Sequence, residues 1–391
     1  MKYDVIIIGA GPIGLNFANT LARLDLNIAL IEKSDESVLA KPAYDGRETA
    51  LTHLTQKILN ELDVWPLIGD ENISLIKHAK VLNGNSDFSL HFDHREAGHE
   101  NLGFMVSNHD IRRASYEAIK SFKNINLITG HAVSDVHTDD QQGTVILDDD
   151  TSLNASLIVA ADSRFSKARQ MMEIPTSVLD FKRSCIVTKM KIHGAHDDTA
   201  WECFHYDRTL AVLPLNDNHV SVVITLDAAQ KDSILDLSKP EFNQDMIERT
   251  EGKYGKMELT EELFHYPLAG TYADQFYAKR FALIGDAAVG MHPVTAHGFN
   301  LGLRGQSTLG AEIAKTHKNG VDIGSKYVLE RYNTQHRAHT RPMYLGTNAL
   351  VKLYTRTSPS AKIARGALLR LGNILSPAKQ LITNQLTESK G

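Results

Sequence analysis

The chain has 391 residues, 42% of them hydrophobic and 26 of them glycine, with a formal net charge of −5. That is enough apolar material for two to three domain-sized units, and the balance of charge speaks against a nucleic-acid partner. The two cysteines, Cys185 and Cys203, lack CxxC or CxxH spacing, so reduced thiols are expected and a disulfide framework is not.

The 18 histidines are scattered, and pairs such as His336 with His339 or His91 with His94 lack further spaced ligands, so no metal is expected. The short apolar run at the N-terminus ends in glycine without a secretory cleavage pattern, and no stretch approaches the ~18 apolar residues of a membrane span. A cytoplasmic protein is the expectation.

In chain order, Tyr3 to Ile8 reads as an apolar strand running into Gly9-Ala10-Gly11-Pro12-Ile13-Gly14, and Leu15 to Leu24 continues with helical period. Strand, tight turn and helix form a dinucleotide site. Gly9 takes the turn's backbone angles, Gly11 lets a pyrophosphate approach the main chain, Gly14 lets helix pack on strand, and the helix N-terminus offers free N–H donors. A second strand, Asn27 to Ile31, ends in Glu32, with Lys33 next to it. A carboxylate about 20 residues beyond the glycines accepts from a ribose 2′-hydroxyl and repels a 2′-phosphate, which points to FAD or NAD rather than NADP.

Arg47 sits in a loop before a helical run from Leu51 to Leu62. Short alternating stretches follow, among them Phe88 to Phe92, and Phe104-Met105-Val106 leads into a helix for which Asn108 or Asp110 is the expected cap. Leu157 to Ala160 is an apolar strand ending near Asp162. Residues from about 176 to 270 read as β-rich: Arg183 to Ile192, Trp201 to Tyr206, Leu210 to Leu215 and Val220 to Ile224, with Asn216-Asp217-Asn218 marking a hairpin turn. Phe281 to Ile284 is a short buried strand followed by Gly285-Asp286, and Gly298 to Leu309 is helical. The Asp286 carboxylate suits a ribityl hydroxyl. The N–H groups of Gly298, Phe299 and Asn300 suit the flavin N1–C2=O edge, where negative charge collects on reduction.

These residues resemble the class A FAD-dependent aromatic monooxygenases, and within them the ubiquinone-biosynthesis hydroxylase family, with the demethoxyubiquinol hydroxylases the nearest likeness. Gly9, Gly11, Gly14 and Glu32 match the FAD fingerprint, and Asp45-Gly46-Arg47 matches the family's early Arg loop. Leu157 to Arg169 matches its third motif, and Gly285-Asp286-Ala287-Ala288, His292-Pro293, Gly298 and Asn300-Leu301-Gly302 match its second flavin motif. Ser163 stands where the family usually has Gly, Val289 where it often has His, and Thr295-Ala296-His297 where Ala-Gly-Gln is common. The resemblance implies a pyrophosphate role for Arg112, with Arg113 as the alternative, and a place near cofactor and substrate for Arg47. His297 and Pro293 are the candidates beside the flavin ring.

The implied fold is α/β: a Rossmann-like FAD-binding domain with an inserted antiparallel β-sheet substrate domain and a C-terminal helical region. The expected division gives the FAD-binding domain residues 1–76, 101–175 and 271–330. The substrate domain takes 77–100 and 176–270, and 331–391 form C-terminal helices. The implied activity is hydroxylation of the aromatic ring of a prenylated quinone precursor through a flavin C4a-hydroperoxide. O₂ is co-substrate, and NAD(P)H or a separate reductase is the electron source. An isoprenoid double-bond reductase and a non-catalytic flavoprotein of a quinone-biosynthesis complex are the alternatives. Residues 341–391 carry eight basic residues against Glu388 alone, and Ile363, Ala367, Leu368, Leu371 and Ile374 recur at helical spacing opposite Lys362, Arg365 and Arg370. That pattern suits peripheral contact with the inner face of a membrane, a partner in a quinone-biosynthesis complex, or packing on the FAD domain.

Overall fold

Val5, Ile6 and Ile7 are fully buried, the mark of a strand covered on both faces of a parallel sheet. They belong to β1 (Lys2–Ile8), which lies between β2 (Ile28–Glu32) and β11 (Ser152–Ala160), all parallel. β8 (Ile125–Thr129) and β19 (Phe281–Leu283) extend the sheet in parallel on its two sides. β18 (Tyr277–Ala278) closes one edge, and β9 (Val133–Thr138) and β10 (Gly143–Leu147) add an antiparallel pair to β11. The computed structural model describes residues 2–84, 89–205, 208–292, 297–355 and 388.

Three helices cover this sheet around one core: α1 (Pro12–Ala22), α5 (Asn108–Ile119) and α9 (Gly298–Lys318). Phe17, Leu21, Leu309 and Ile313 are completely buried there, each stabilising the fold by roughly 1.5–3 kcal/mol. α10 (Lys326–Thr355) packs along α9. The buried Glu312 carboxylate joins the two helices by accepting from Arg331 Nε at 2.7 Å and Gln335 Nε2 at 2.9 Å.

The nine-stranded second sheet runs β20 (Val289–Gly290), β17 (Phe264–Ala273), β12 (Thr176–Ile192), β15 (His219–Asp227), β14 (Arg208–Leu215), β13 (Thr199–Phe204), β5 (His78–Asn83), β6 (Ser89–Asp93), with β16 (Met257–Leu259) beside β12. A small third sheet of β3 (Glu48–Leu51), β7 (Gly103–Ser107) and β4 (Ile73–Ile76) packs against it. α7 (Asp232–Leu235) and α8 (Lys239–Arg249) cover its other face. Four further α-helices are α2 (Glu36–Ala40), α3 (His53–Glu61), α4 (Trp65–Ile68) and α6 (Lys167–Met171).

Several local expectations change. Leu51 ends a strand, and the helix expected from it begins at His53, because Thr52 caps it by accepting from the Thr55 N–H. The cap of α5 is Ser107, one residue before Asn108, and it accepts from the Asp110 N–H. The region read as β-rich contains α8, stabilised by a capping box between Ser238 and Glu241. The nine-stranded sheet holds one parallel pair, β13 with β5, because these strands come from separate parts of the chain. Both cysteines are buried free thiols, pushed up to about 12 by burial. Among the described residues no helix is long and apolar enough to cross a membrane, and the amphipathic pattern from Ile363 to Ile374 lies outside them.

Ser163 is exposed and sits at φ 77°, the left-handed conformation that accounts for glycine at this place in the related family. Relief of that strain, about 1–2 kcal/mol, exceeds the extra unfolded-state entropy of a glycine. Ser163→Gly is expected to stabilise the fold by about 0.5–1 kcal/mol, seen as a higher denaturant midpoint with unchanged slope.

Candidate flavin-binding site

The first turn is built from close backbone contacts. Gly9 has φ 102°, and a Cβ there would lie 2.6 Å from the Ala161 carbonyl oxygen at the end of β11. A Cβ on Gly14 would collide with the Gly9 carbonyl, so α1 approaches the turn at a distance only glycine permits. Gly11 differs: its backbone is ordinary, and a Cβ would meet nothing within 4 Å. The space in front of Gly11 is open, and α1 begins there with Pro12 and no side-chain cap.

Glu32 ends β2 beside this turn. Its Oε2 accepts from the Ala10 N–H at 2.9 Å and its Oε1 from the Ser34 N–H at 3.0 Å, so the carboxylate braces the glycine turn and retains lone pairs for a further donor. Lys33 is exposed. Of the two candidate arginines on α5, Arg113 is engaged by Ile68 O and Asp110, whereas Arg112 has no hydrogen bond or ion pair among the described residues.

Ile13 joins the two distant motifs. A Cβ on Gly302 would lie 3.0 Å from its Cδ1, and one on Gly285 would lie 3.3 Å from its Cγ atoms. Gly285 itself has φ 60°. Asp286 Oδ2 accepts from Arg164 Nη2 at 3.1 Å, and Arg164 also donates to Ala269 O and Met291 O. Asp162 accepts from the Ala168 N–H through Oδ2, while its buried Oδ1 has no partner among the described residues.

The α9 N-terminus is likewise uncapped by a side chain: His297 is its N-cap and makes no capping bond, and a Cβ on Gly298 would meet nothing within 4 Å. α3, α5 and α8, by contrast, are capped by their own Thr52, Ser107 and Ser238. Phe299 packs partly into the core under α3. The Asn300 side chain is a strap: Oδ1 accepts from Thr52 N and Thr55 Oγ1, and Nδ2 donates to Ala50 O at 2.8 Å, holding β3 and α3 against α9. His292 is buried edge-on to Phe181, and burial with the charges of Arg164 and Arg183 lowers it to about 4, so it is neutral at pH 7. Pro293 lies outside the described residues.

The residues present fit FAD. Among the described residues, two helix N-termini without a side-chain cap and with open space in front, an unpartnered guanidinium on α5 and a buried carboxylate oxygen lacking a donor are the complement of a pyrophosphate, a ring edge and hydroxyl groups. Arg47 lies in the loop beside them, paired with Asp45 and stacked 5.4 Å above the Tyr266 ring.

Next to this site, the two faces of the nine-stranded sheet differ. Val212, Val220, Val222 and Ile224, under α8, are at most 1% exposed. Ala211, Leu213, Val223 and Val187 point the other way, and the first three remain half-buried although their strands are central. Strand pairing aligns Ala211, Val223, Val187 and Phe264 in one row, and Gly46 packs on Val187 and Phe264 at its end. Tyr266 donates its hydroxyl to Asp45 O at 2.7 Å. On β14, Ala211, Leu213 and Leu215 face this side; Leu210 and Val212 face α8.

Sequence reasoning missed Thr52, Thr55, Arg164, Tyr44 and Glu48. Thr52 carried a local signal, a Thr just before a helical run; Tyr44 and Glu48 pair with each other four residues apart, and Thr55 and Arg164 act through partners distant in the chain. It also missed Glu388, which is buried and accepts from Thr52 Oγ1 at 2.9 Å and Arg304 Nη1 at 3.3 Å.

Comparisons with known proteins agree with this geometry. The model of the FAD binding domain family matches residues 2–344. Ubiquinone hydroxylase UbiM of Neisseria meningitidis is 45% identical over 388 residues, 98% of this chain and 84% of its own length. The 3-demethoxyubiquinol 3-hydroxylase of Escherichia coli is 24% identical over 93% of this chain and 92% of its own. In fold, the chain matches p-nitrophenol 4-monooxygenase PnpA of Pseudomonas putida with a TM-score of 0.80 at 17% identity, covering 99% of this chain and 98% of that one. The chain belongs to the FAD binding domain family, in the ubiquinone-biosynthesis hydroxylase branch of the class A FAD-dependent aromatic monooxygenases.

Proposed function

We propose that this FAD-dependent monooxygenase hydroxylates the aromatic ring of a prenylated quinone precursor held between the flavin seat and the half-buried face of the nine-stranded sheet. The carrying observation is the contrast between the sheet's two faces. A dry face under α8 and an opposite face on which Ala211, Leu213 and Val223 stay half-buried, toward Arg47, suit a seat for a greasy ring, with the cofactor site at its end. The names of the relatives support the quinone class.

When bound and reduced by NAD(P)H or a reductase, FAD supplies the O₂-activating chemistry that this class of enzyme uses. The chain's own tasks are to bind, orient and exclude water. Gly11 and the α1 N-terminus, with Arg112, receive the pyrophosphate. Glu32 accepts from the ribose, and Asp162 and Asp286 offer carboxylate oxygens to cofactor hydroxyls. The N–H groups of Gly298 and Phe299 face the ring edge that becomes negative. Asn300 holds β3 in register with that edge rather than donating from its side chain. Apolar Val187, Val223 and Phe264 keep water from the reacting ring. The basic residues of 341–391 extend the proposal to peripheral contact with an anionic membrane, where such a substrate resides.

Gly11 has ordinary backbone angles and open space, so Gly11→Asp tests the phosphate seat without disturbing the fold. It is expected to yield folded protein without visible flavin absorbance. Asp286→Ala is expected to weaken FAD binding about tenfold, the loss of one hydrogen bond to a charged acceptor, measured as a dissociation constant. Charge reversal at Lys362, Arg365 and Arg370 is expected to reduce sedimentation with anionic liposomes; unchanged sedimentation would remove the membrane contact from the proposal. Expression in cells lacking their own quinone-ring hydroxylases is expected to restore a hydroxylated prenylquinone, detected by mass spectrometry, only in the presence of O₂. With flavin-loaded protein present, an unchanged quinone pool would refute the substrate class, and product without O₂ would favour a reductase.

A further inference from the structure

Glu48 is placed unlike the other carboxylates of the site. It opens β3, whose Ala50 carbonyl is bonded to Asn300, and it follows Arg47 directly. Pairing opposite Ser107 puts its side chain on the Ala50 side of β3, the side that packs toward Leu213 and Ala200 of the nine-stranded sheet. Glu48 therefore lies on the side of β3 turned toward the nine-stranded sheet, within one residue of the Arg47 loop. Among the described residues it forms no ion pair, and its one side-chain hydrogen bond comes from the Tyr44 hydroxyl at 3.4 Å.

The charges around it come from every packed element. Lys189 on β12, two residues from Val187 on the same face, favours the carboxylate. Asp45 in the loop and Asp110 on α5 oppose it. Arg47 is neutralised by Asp45, His109 interacts with Ser107 and Asp110, His219 lies near Lys189, and Glu261 acts on Tyr44. Burial is the largest influence on Glu48 and pushes its carboxyl up to about 7. Tyr44 is pushed further above its ordinary value, by burial first and by Glu48 next, so it keeps its proton and serves only to orient the carboxylate.

We propose that Glu48 is a catalytic residue that takes the proton of the substrate's ring hydroxyl. This rests on the reading of the sheet's half-buried face as the ring's seat. The O–H bond breaks, its electron pair stays on the ring oxygen, and the proton passes to a Glu48 carboxylate oxygen. The phenolate formed is richer in electrons at its ring carbons, which is what attack on an electrophilic oxygen requires, and Lys189 offsets its charge. A base poised near neutrality both exists as carboxylate and drives the transfer.

Glu202 provides the control. It lies on the same face of β13, four strands from Phe264 or roughly 19 Å at the ordinary strand spacing, and burial alone raises it to about 8. Full-length, FAD-loaded wild type, Glu48→Gln, Glu48→Asp and Glu202→Gln would be compared in two measurements. The first is turnover of 2-geranylphenol against pH. Wild-type kcat is expected to rise with pH through a limb near 7, and Glu48→Gln to lose that limb with about a hundredfold lower kcat. Glu48→Asp and Glu202→Gln are expected to keep the limb.

The second is the colour of bound 4-nitrophenol in the oxidised protein, which needs no turnover. Wild type is expected to develop nitrophenolate colour in two steps, the first shared with Glu48 and the second above the single step of Glu48→Gln, because the Glu48 carboxylate opposes a second negative charge beside it. A Glu48→Gln enzyme that keeps the acidic limb, or that ionises nitrophenol with the wild-type pH course, overturns the assignment. In that case O₂-dependent product from wild type leaves the hydroxylase reading standing. Absence of product from wild type together with a Glu48-dependent colour shift would refute the substrate class while retaining Glu48 as the proton acceptor.

Discussion

The approach of α1 to the end of β1, closer than any side chain would allow, is the constraint on which the rest of the molecule depends. Gly14 stands against the Gly9 carbonyl, and Gly9 against Ala161, so β1, β11 and α1 meet with backbone touching backbone. That contact delivers Ile13 to Gly285 and Gly302, which fixes where the second flavin motif and α9 sit. Two segments nearly three hundred residues apart thus become one site through the absence of side chains at four positions.

Buried polar groups complete the arrangement. Ser166 caps α6 by accepting from the Arg169 N–H, and the buried Arg169 guanidinium donates to Arg164 O and Ala287 O. The third motif is thereby tied to the second by buried bonds between segments distant in the chain. Arg164 extends the same connection to Asp286 and to β17. A carboxylate such as Asp162, with one oxygen engaged and the other buried without a donor among the described residues, is the residual demand this framework leaves for a ligand.

The separation of tasks between the two large sheets follows from how each face is covered. The helices α1, α5 and α9 pack on the parallel sheet, and its stability comes from dispersion and hydrophobic burial. The nine-stranded sheet has helices on one side only; on the other it meets β3, a strand pinned by Asn300 rather than by bulk. The same geometry explains a carboxyl held near neutrality at Glu48, since partial burial without an ion-pair partner raises a carboxyl, whereas Glu312, with Arg331, Gln335 and Lys315 around it, is held down to about 2.

The sequence by itself determined the FAD turn, the second motif and the hairpin of β14 and β15, because glycine spacing, apolar runs and turn residues are local and act through the residues that carry them. It likewise distinguished Gly11 from Gly9 and Gly14 by the role each has in the turn. Only the tertiary structure decided that Ser107 caps α5, that β5 pairs in parallel with β13, and that Glu388 returns to Thr52 and Arg304. It alone also turned Asn300 into a strap and put Glu48 on the side of β3 turned toward the nine-stranded sheet. Each of these rests on a partner far away in the chain, and neither propensity nor periodicity encodes which distant groups meet or how much water is left between them.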